Sequence, residues 1–338
     1  MGNNFGFEAD KDQYKATVDI NQLIYDWGRI KSSRLVENAD FKINQQNTNV
    51  ELNKIMDQIN KFYFAILILN KNEELLKVMM EDLDSKEKSV ESAVKNGVLL
   101  SSDLSALRAE KIKLRQNINE LELQRNAAID VLSEITGMPI EYSTTLQVPD
   151  IEVTDSAQFK RPELVLFDYQ KEKLDLISKL VSKQNKPTIF SFAQLGYGKP
   201  GLNMVNDEFD TFYYLGIGLK WNFWDWNKTS RNKQIVLLNK DLITTQESNF
   251  NKQLSVATKN ELANIEIYKQ ALASDEEIIK LRKEVTQSAR SKLDNGVITS
   301  TDYITELGKE TEAKISYETH KLKLIQSKVN YLYIKGEI

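Results

Sequence analysis

The sequence predicts a mainly α protein with a small β part, built from long antiparallel coiled-coil helical hairpins and arranged as a two-fold internal repeat. Three observations carry this prediction. All five prolines lie between Pro139 and Pro200, and the stretches on either side hold few glycines: Gly97 alone between residues 29 and 136, Gly296 and Gly308 between 219 and 335. Each stretch should be helix with one break, because glycine and proline are the residues that a helix interior tolerates least. The apolar residues then recur at helical spacing. From Leu52 through Ile55, Ile59, Phe62, Ile66, Leu69, Glu73, Leu76, Met80, Leu83, Glu87 and Val90 to Val94 the steps alternate between three and four, which is a coiled-coil seam. It resumes at Leu104, Leu107, Lys111, Leu114, Ile118, Leu121, Arg125, Ala128, Leu132 and Ile135. Finally, Gly97 and Gly296 stand 199 residues apart, and so do Asn96 and Asn295, Val98 and Val297, Ser101 and Ser300, and Asp103 and Asp302. "YDWGR" at 25–29 meets "WDWNK" at 224–228 in the same register, so two landmarks about 70 residues apart keep one offset without an insertion.

Taken in order, residues 1–138 read as a first copy. A strand over 12–27 places Tyr14, Ala16, Val18, Ile20, Gln22 and Ile24 on one face, with Lys15, Thr17, Asp19 and Asn21 opposite. A helical hairpin follows over 28–136, with its tip near Gly97. Its first helix would be about 100 Å long at 1.5 Å per residue. Asn96-Gly97 supplies the left-handed conformation that ends a helix, and Ser101 and Ser102 offer hydroxyls to cap the next. Residues 139–160 connect the copies. The second copy, 161–338, opens with a helix over 161–184 and continues with a strand hairpin over 187–226. It ends in a helical hairpin over 228–335, with its tip near Gly296 and caps at Thr299 and Ser300. In the strand hairpin, "PTIFSFAQLGYG" alternates poorly, with Phe190 and Phe192 on one face and Ile189, Ala193 and Leu195 on the other. "GYGKPG" lacks the Lys-Ser or Lys-Thr of a phosphate loop and reads as a turn.

Composition excludes several function classes. A net charge of −4, with both signs mixed along the helices, gives no basic surface for nucleic acid. The absence of cysteine rules out thiolate metal sites, disulfides and a cysteine nucleophile. No apolar run approaches the roughly 20 residues of a spanning helix. The N-terminus has neither the basic start nor the apolar middle of a signal peptide, and Met1-Gly2 lacks the downstream hydroxyl of a myristoylation signal. The sole histidine, His320, has no ligand or catalytic spacing around it and reads as a surface residue, so neither an enzyme, a metal nor a cofactor is expected.

The strand at 212–226 carries the functional signal. Tyr213, Leu215, Ile217, Leu219, Trp221 and Phe223 share one face, and Gly216, Gly218, Lys220 and Asn222 the other. Aromatics gather at both ends, and ten residues tilted near 40° rise about 25 Å, the height of the apolar band of an outer-membrane barrel. A strand in a soluble sandwich is the competing reading.

Together, "RPELVLFDYQ", "LKWNFWDWNK" and the paired tips "NGVLLSSDLSALRAE" and "NGVITSTDYITELGKE" make the chain resemble the TolC-like outer membrane efflux protein family over nearly its whole length. The resemblance implies a homotrimer in the cell outer membrane. Strands from each chain would build one β-barrel in outer-membrane lipid, and the long helices an α-barrel tunnel across the periplasm. It implies that the tips (Gly97, Val98, Leu99, Gly296, Val297 and Ile298) meet a periplasmic adaptor protein, and through it an inner-membrane pump, for efflux or type I secretion. It also implies that Asp103 and Asp302 line the closed pore entrance. The same aspartates, in the first turn of a helix, equally suit the helix dipole. Where family members use an arginine and a tyrosine around the second tip, this chain has Ile298 and Leu293. A soluble coiled-coil scaffold without a pore is the alternative; it leaves the aromatic-banded strands and the constant offset unexplained. By that offset the partner of the strand at 187 would precede the first residue, so the chain is expected to be truncated at its N-terminus.

Overall fold

The computed structural model describes residues 12–153, 158–203 and 208–338. The Met1-Gly2 start, part of the connecting segment and part of the loop between the paired strands lie outside the described residues. The element order is β1 (Tyr14–Tyr25), α1 (Arg29–Lys95), α2 (Ser101–Thr136), α3 (Pro162–Val181), β2 (Thr188–Lys199), β3 (Asp210–Lys220), α4 (Lys228–Asp294) and α5 (Ser300–Lys335). Helices α1 and α4 each have 67 residues, and α2 and α5 each have 36. The bounds of α4 and α5 follow those of α1 and α2 by 199 positions. The chain separates into two compact units, Met1–Gln46 with Val165–Ser248, and Asn47–Leu164 with Asn249–Ile338. Each unit draws residues from both halves of the sequence.

In the first unit β1, β2 and β3 form an antiparallel sheet in that order. The poor alternation of β2 has a steric cause. Phe190, Phe192 and Phe212 lie across strand glycines: a Cβ on Gly218 would stand 2.3 Å from the Phe190 ring, one on Gly216 2.6 Å from Phe192, and one on Gly196 2.1 Å from Phe212. The register pairs each ring with its glycine on the neighbouring strand. This corrects the expected turn at "GYGKPG": Gly196 and Gly198 belong to β2, where the lack of a side chain makes room for Phe212 and for the backbone of Tyr14. Strand β3 ends at Lys220, although the apolar alternation continues to Phe223. Both strand-to-helix corners turn on a tryptophan with positive φ, Trp27 at 58° and Trp226 at 50°. Asp26 accepts from the N–H groups of Gly28 and Ile30, and Asp225 from that of Thr229, which satisfies donors that a helix start leaves open. Helix α3 is stitched to α1 by Lys183, which donates to Ser32 Oγ and to the Gly28 carbonyl, and to α4 by the ion pairs Lys171–Glu247 and Lys240–Asp175.

In the second unit the hairpins pack along their seams. Phe64, Leu67, Leu322 and Val329 form one buried cluster, covered in part by Leu146 and Ile151 of the connecting segment. The charged seam positions find each other across α1 and α2: Glu73 pairs with Arg125 at 2.6 Å and Glu87 with Lys111 at 2.5 Å. The seam does not run as written at its start. Leu52 and Ile55 are exposed, whereas Val50 and Asn53 are buried, so the inward stripe is displaced there. Arg161 explains "RPELV": it is buried beside Glu163 at 2.7 Å, donates to the Tyr333 carbonyl and sits 4.4 Å from the Tyr333 ring centre, while Pro162 takes the first helical position. His320 is half-buried rather than a surface residue; its Nδ1 lies 2.6 Å from Asp275 and its ring stacks on Tyr268. The partner is a full helix away in sequence, so no local spacing could announce it.

Candidate functional site: an apolar sheet face and paired hairpin tips

The first candidate surface is one face of the sheet. Strand alternation and the register bring Tyr14, Val18 and Ile20 of β1, Leu195 and Tyr197 of β2, and Tyr213, Leu215, Ile217 and Leu219 of β3 to the same side, all exposed. The other side carries the phenylalanine–glycine pairs with Lys15, Thr17, Asp19, Asn21 and Gln194. Trp221 and Phe223, grouped in the sequence with the strand, lie just beyond it and are exposed as well. They join Trp27, Trp224 and Trp226, so all four tryptophans of the chain gather at the helix-proximal end of the sheet. Tyr14, Tyr197, Phe209 and Tyr213 stand at the opposite end, where Phe209 stacks on Tyr14 and Tyr197. Gln22, Ser191, Lys199 and Thr211 are the polar members of this face; an exposed face otherwise so apolar, banded by aromatics at both ends, suits lipid.

The second candidate surface is the pair of tips. Gly97 (φ 75°) and Gly296 (φ 68°) take the left-handed conformation that reverses the chain. Val98 and Val297 are exposed, while Leu99 and Ile298 pack onto the cluster of Leu83, Val90, Leu107, Leu293 and Tyr303. Asp103 and Asp302 each occupy the third position of their helix and bond back to the cap, at Leu100 N–H (3.2 Å) and at Thr299 N–H (3.0 Å) with Thr299 Oγ1 (2.7 Å). The Thr299 hydroxyl and N–H hold the Asp302 carboxyl below the ordinary range. Their surroundings differ. Asp103 is buried, and its second oxygen accepts the N–H of Ser300 at 2.8 Å, which ties the first tip to the second; Asp302 is exposed. Val98 also reaches Gly296, where an added Cβ would lie 3.3 Å from its methyl.

Sequence reasoning missed the polar links just above the tips. Tyr303 donates to Asp82 at 2.6 Å, and burial followed by that carboxylate drives its pKa upward. Asp82 also meets Arg290 at 3.3 Å, and buried Lys86 pairs with Asp294 at 2.6 Å beneath the Tyr303 ring. These bonds join the two hairpins, so periodicity within either hairpin gives no sign of them. Among the described residues, no group of three or more His, Asp or Glu is placed to hold a metal, and no helix is long and apolar enough to cross a membrane.

No family model matches the chain, and no curated protein matches it in sequence. Solved structures do. It superposes on the CmeC outer membrane channel of Campylobacter jejuni with a TM-score of 0.77 at 15% identity, covering 96% of this chain and 71% of CmeC. It superposes on CusC with a TM-score of 0.81 at 10% identity, covering 99% and 80%. For the MtrE outer membrane channel of Neisseria gonorrhoeae, in its open state, the values are 0.76, 13%, 97% and 80%. Superposed over nearly its whole length, the chain has the TolC-like outer membrane factor fold.

Proposed function

We propose that the chain is an outer-membrane channel subunit, giving a homotrimeric, passive exit duct across periplasm and outer membrane to a tripartite efflux or type I secretion system. The observation that carries this reading is the exposed sheet face that is predominantly apolar on all three strands, the reverse of what a soluble coiled-coil scaffold needs. Among the described residues β1 and β3 are sheet edges, and lipid leaves edge N–H and C=O groups unsatisfied, so closure calls for strands from further copies. Tyr213, Leu215, Ile217 and Leu219, with Trp221 and Phe223 at the rim, would face outer-membrane lipid. The 199-residue offset supports a two-fold repeat, 1–138 and 161–338 joined by 139–160, whose hairpins from three copies would line the periplasmic tunnel. At its end Gly97, Val98, Leu99, Gly296, Val297 and Ile298 would meet the adaptor, and beyond it the pump. Asp103 and Asp302 would keep the entrance closed by accepting hydrogen bonds.

Brominated-lipid quenching tests the membrane reading. In liposomes, bromines placed near the headgroups should quench tryptophan fluorescence strongly and bromines near the bilayer centre weakly, because the four tryptophans share one level of the sheet. Quenching absent at every depth, with protein that fails to float with the liposomes, would favour the scaffold.

A further inference from the structure

The side of the sheet away from the apolar face is not uniformly polar. Four rings stand on it, Phe190 and Phe192 of β2 and Phe212 and Tyr214 of β3, and the register sets them in successive rows along the strands. Phe190 and Phe192 have ring centres 6.3 Å apart, and Phe192 meets Tyr214 edge to face at the same distance. The three phenylalanines are accounted for by packing, since each covers a cross-strand glycine. Tyr214 differs: it sits opposite Gln194 rather than a glycine, and it is 43% exposed.

Charge on this side is confined. Lys15 and Asp210 share the row at one end, with Gly198 between them, and Lys220 stands in the row at the other end. In the rows between, Asp19 is the one charged residue of the described sheet, and it shares its row with Gln194 and Tyr214. Its carboxylate accepts from Thr17 and Gln194 and stays exposed. Two strand spacings, about 10 Å, separate its backbone from that of Tyr214. The rings also show what they accept. Lys15 Nζ lies 4.9 Å from the centre of the Phe212 ring, a cation on an aromatic face.

We infer that the strip from Phe192 through Tyr214 to Asp19 is a binding site for planar aromatic cations passing through the duct, the flat molecule lying over the rings with its charge turned toward Asp19. This rests on the channel proposed above: with the apolar face against lipid, the opposite side lines the lumen, and the inference names the chemical class that its wall retains. An aromatic cation uses every feature of the strip. A neutral ring would leave Asp19 without a role, an aromatic anion would meet its carboxylate, and a cation without a ring would lose the stacking that successive rows offer. Contacts of this size hold a molecule briefly, which suits a wall that must also release it.

Current recordings of the chain in planar bilayers test this with three probes: ethidium as the aromatic cation, tetraethylammonium as a cation without a ring, and 1-naphthalenesulfonate as an aromatic anion. Ethidium should interrupt the current in discrete, reversible blocks, and the other two should leave it steady. Tyr214→Ser leaves every strand glycine covered, so it should shorten the ethidium blocks about tenfold at a nearly unchanged melting temperature. Asp19→Asn, which keeps an acceptor for Gln194, should shorten them about fivefold. Blocks of equal length in the parent chain and both variants put ethidium elsewhere and overturn the strip while leaving the channel standing. Equal block by tetraethylammonium reduces the effect to charge, and equal block by 1-naphthalenesulfonate reduces it to stacking; either result, or a current that ethidium leaves steady, overturns the assignment to aromatic cations. Absence of channel current overturns the channel reading itself, and this inference with it.

Discussion

A missing Cβ and a single carboxylate oxygen do much of the work at the scale of residues. Gly216 is mute in the sequence, one of two glycines spoiling an otherwise regular strand, until Phe192 is found lying where its side chain would be. Gly216→Ala should therefore destabilise the sheet by about 1–3 kcal/mol through overpacking, and Phe192→Ala in the same chain should recover part of the loss. Thermal melts followed by tryptophan fluorescence check both, because the tryptophans sit at the end of this sheet. Additive losses in the double variant would show that ring and glycine do not compete for the same space. Carboxylates give a second residue-scale expectation. Glu87 is held below its ordinary value of 4.5 by Lys111 and then Arg108, and Asp302 below 3.8 by Thr299. A carboxyl with a depressed folded pKa stabilises fully above its unfolded value and loses that contribution as pH falls through the folded one. The melting temperature should hold from neutral pH down to about 5 and drop below about 4, and Glu87→Gln should flatten that drop. The left-handed glycines at the tips were legible because Asn-Gly has few other uses inside a helix. The strand glycines were not, because their reason sits on a neighbouring strand.

Heptad spacing and the scarcity of breakers decide the elements, and this is where the sequence reads best. Two hairpins broken at Gly97 and Gly296 follow from local preference alone, since each stretch holds a single Asn-Gly pair; Gly308, without an asparagine before it, is carried inside α5. Of the strands of the apolar face, β1 and β3 follow from period-two alternation, and β2, which alternates poorly, does not. Where the seam goes astray, at Leu52 and Ile55, both side chains point outward although their spacing is ideal. A heptad pattern identifies a stripe but not the neighbour that covers it, and the described stripe there runs through Val50 and Asn53 instead. The charged interruptions at Glu73, Glu87, Lys111 and Arg125 look like faults when each helix is read singly and become pairs when the hairpin closes. Charges inside a seam set register by excluding slipped alignments. Glu73 is the sharper test because its side chain is only 4% exposed and Arg125 16%. Glu73→Ala should cost about 2–3 kcal/mol, less than the about 3–5 kcal/mol of a fully broken buried pair, because Arg125 keeps Glu122 at 4.0 Å and the Asn126 amide oxygen. Replacing both, Glu73→Met with Arg125→Leu, should restore most of that stability while leaving the hairpin freer to slip. Equilibrium urea unfolding of the parent chain and both variants decides it; equal costs for single and double variants would mean that packing, not pairing, holds this layer.

For the whole molecule, what the sequence conveys is equivalence between its halves, and what it hides is where equivalence fails. Asp103 and Asp302 look interchangeable in "SSD" and "STD". In the fold one is buried between tips with both oxygens taken by backbone N–H groups, while the other keeps one oxygen free at an open face. Symmetric neutralisation should therefore have asymmetric consequences. Asn carries one acceptor oxygen, so Asp103→Asn leaves either Leu100 or Ser300 without its acceptor, next to an amide that donates where a donor already stands. That should cost about 1–3 kcal/mol of tip stability, the penalty for a buried group left unpaired. Asp302→Asn keeps an oxygen for Thr299 and disturbs the tip little, but on the proposed channel reading it removes a charge that would attract cations to the entrance. On the gate reading, single-channel recordings should show Asp302→Asn channels open more often and select less for cations, at a nearly unchanged melting temperature. Asp103→Asn should lower the melting temperature first and raise conductance only as its tip loosens. Should Asp302→Asn leave open probability and cation selectivity fixed while thermal stability falls, the aspartate is a helix cap and nothing more, and closure of the entrance must be sought in the Asp82, Arg290 and Tyr303 links above it.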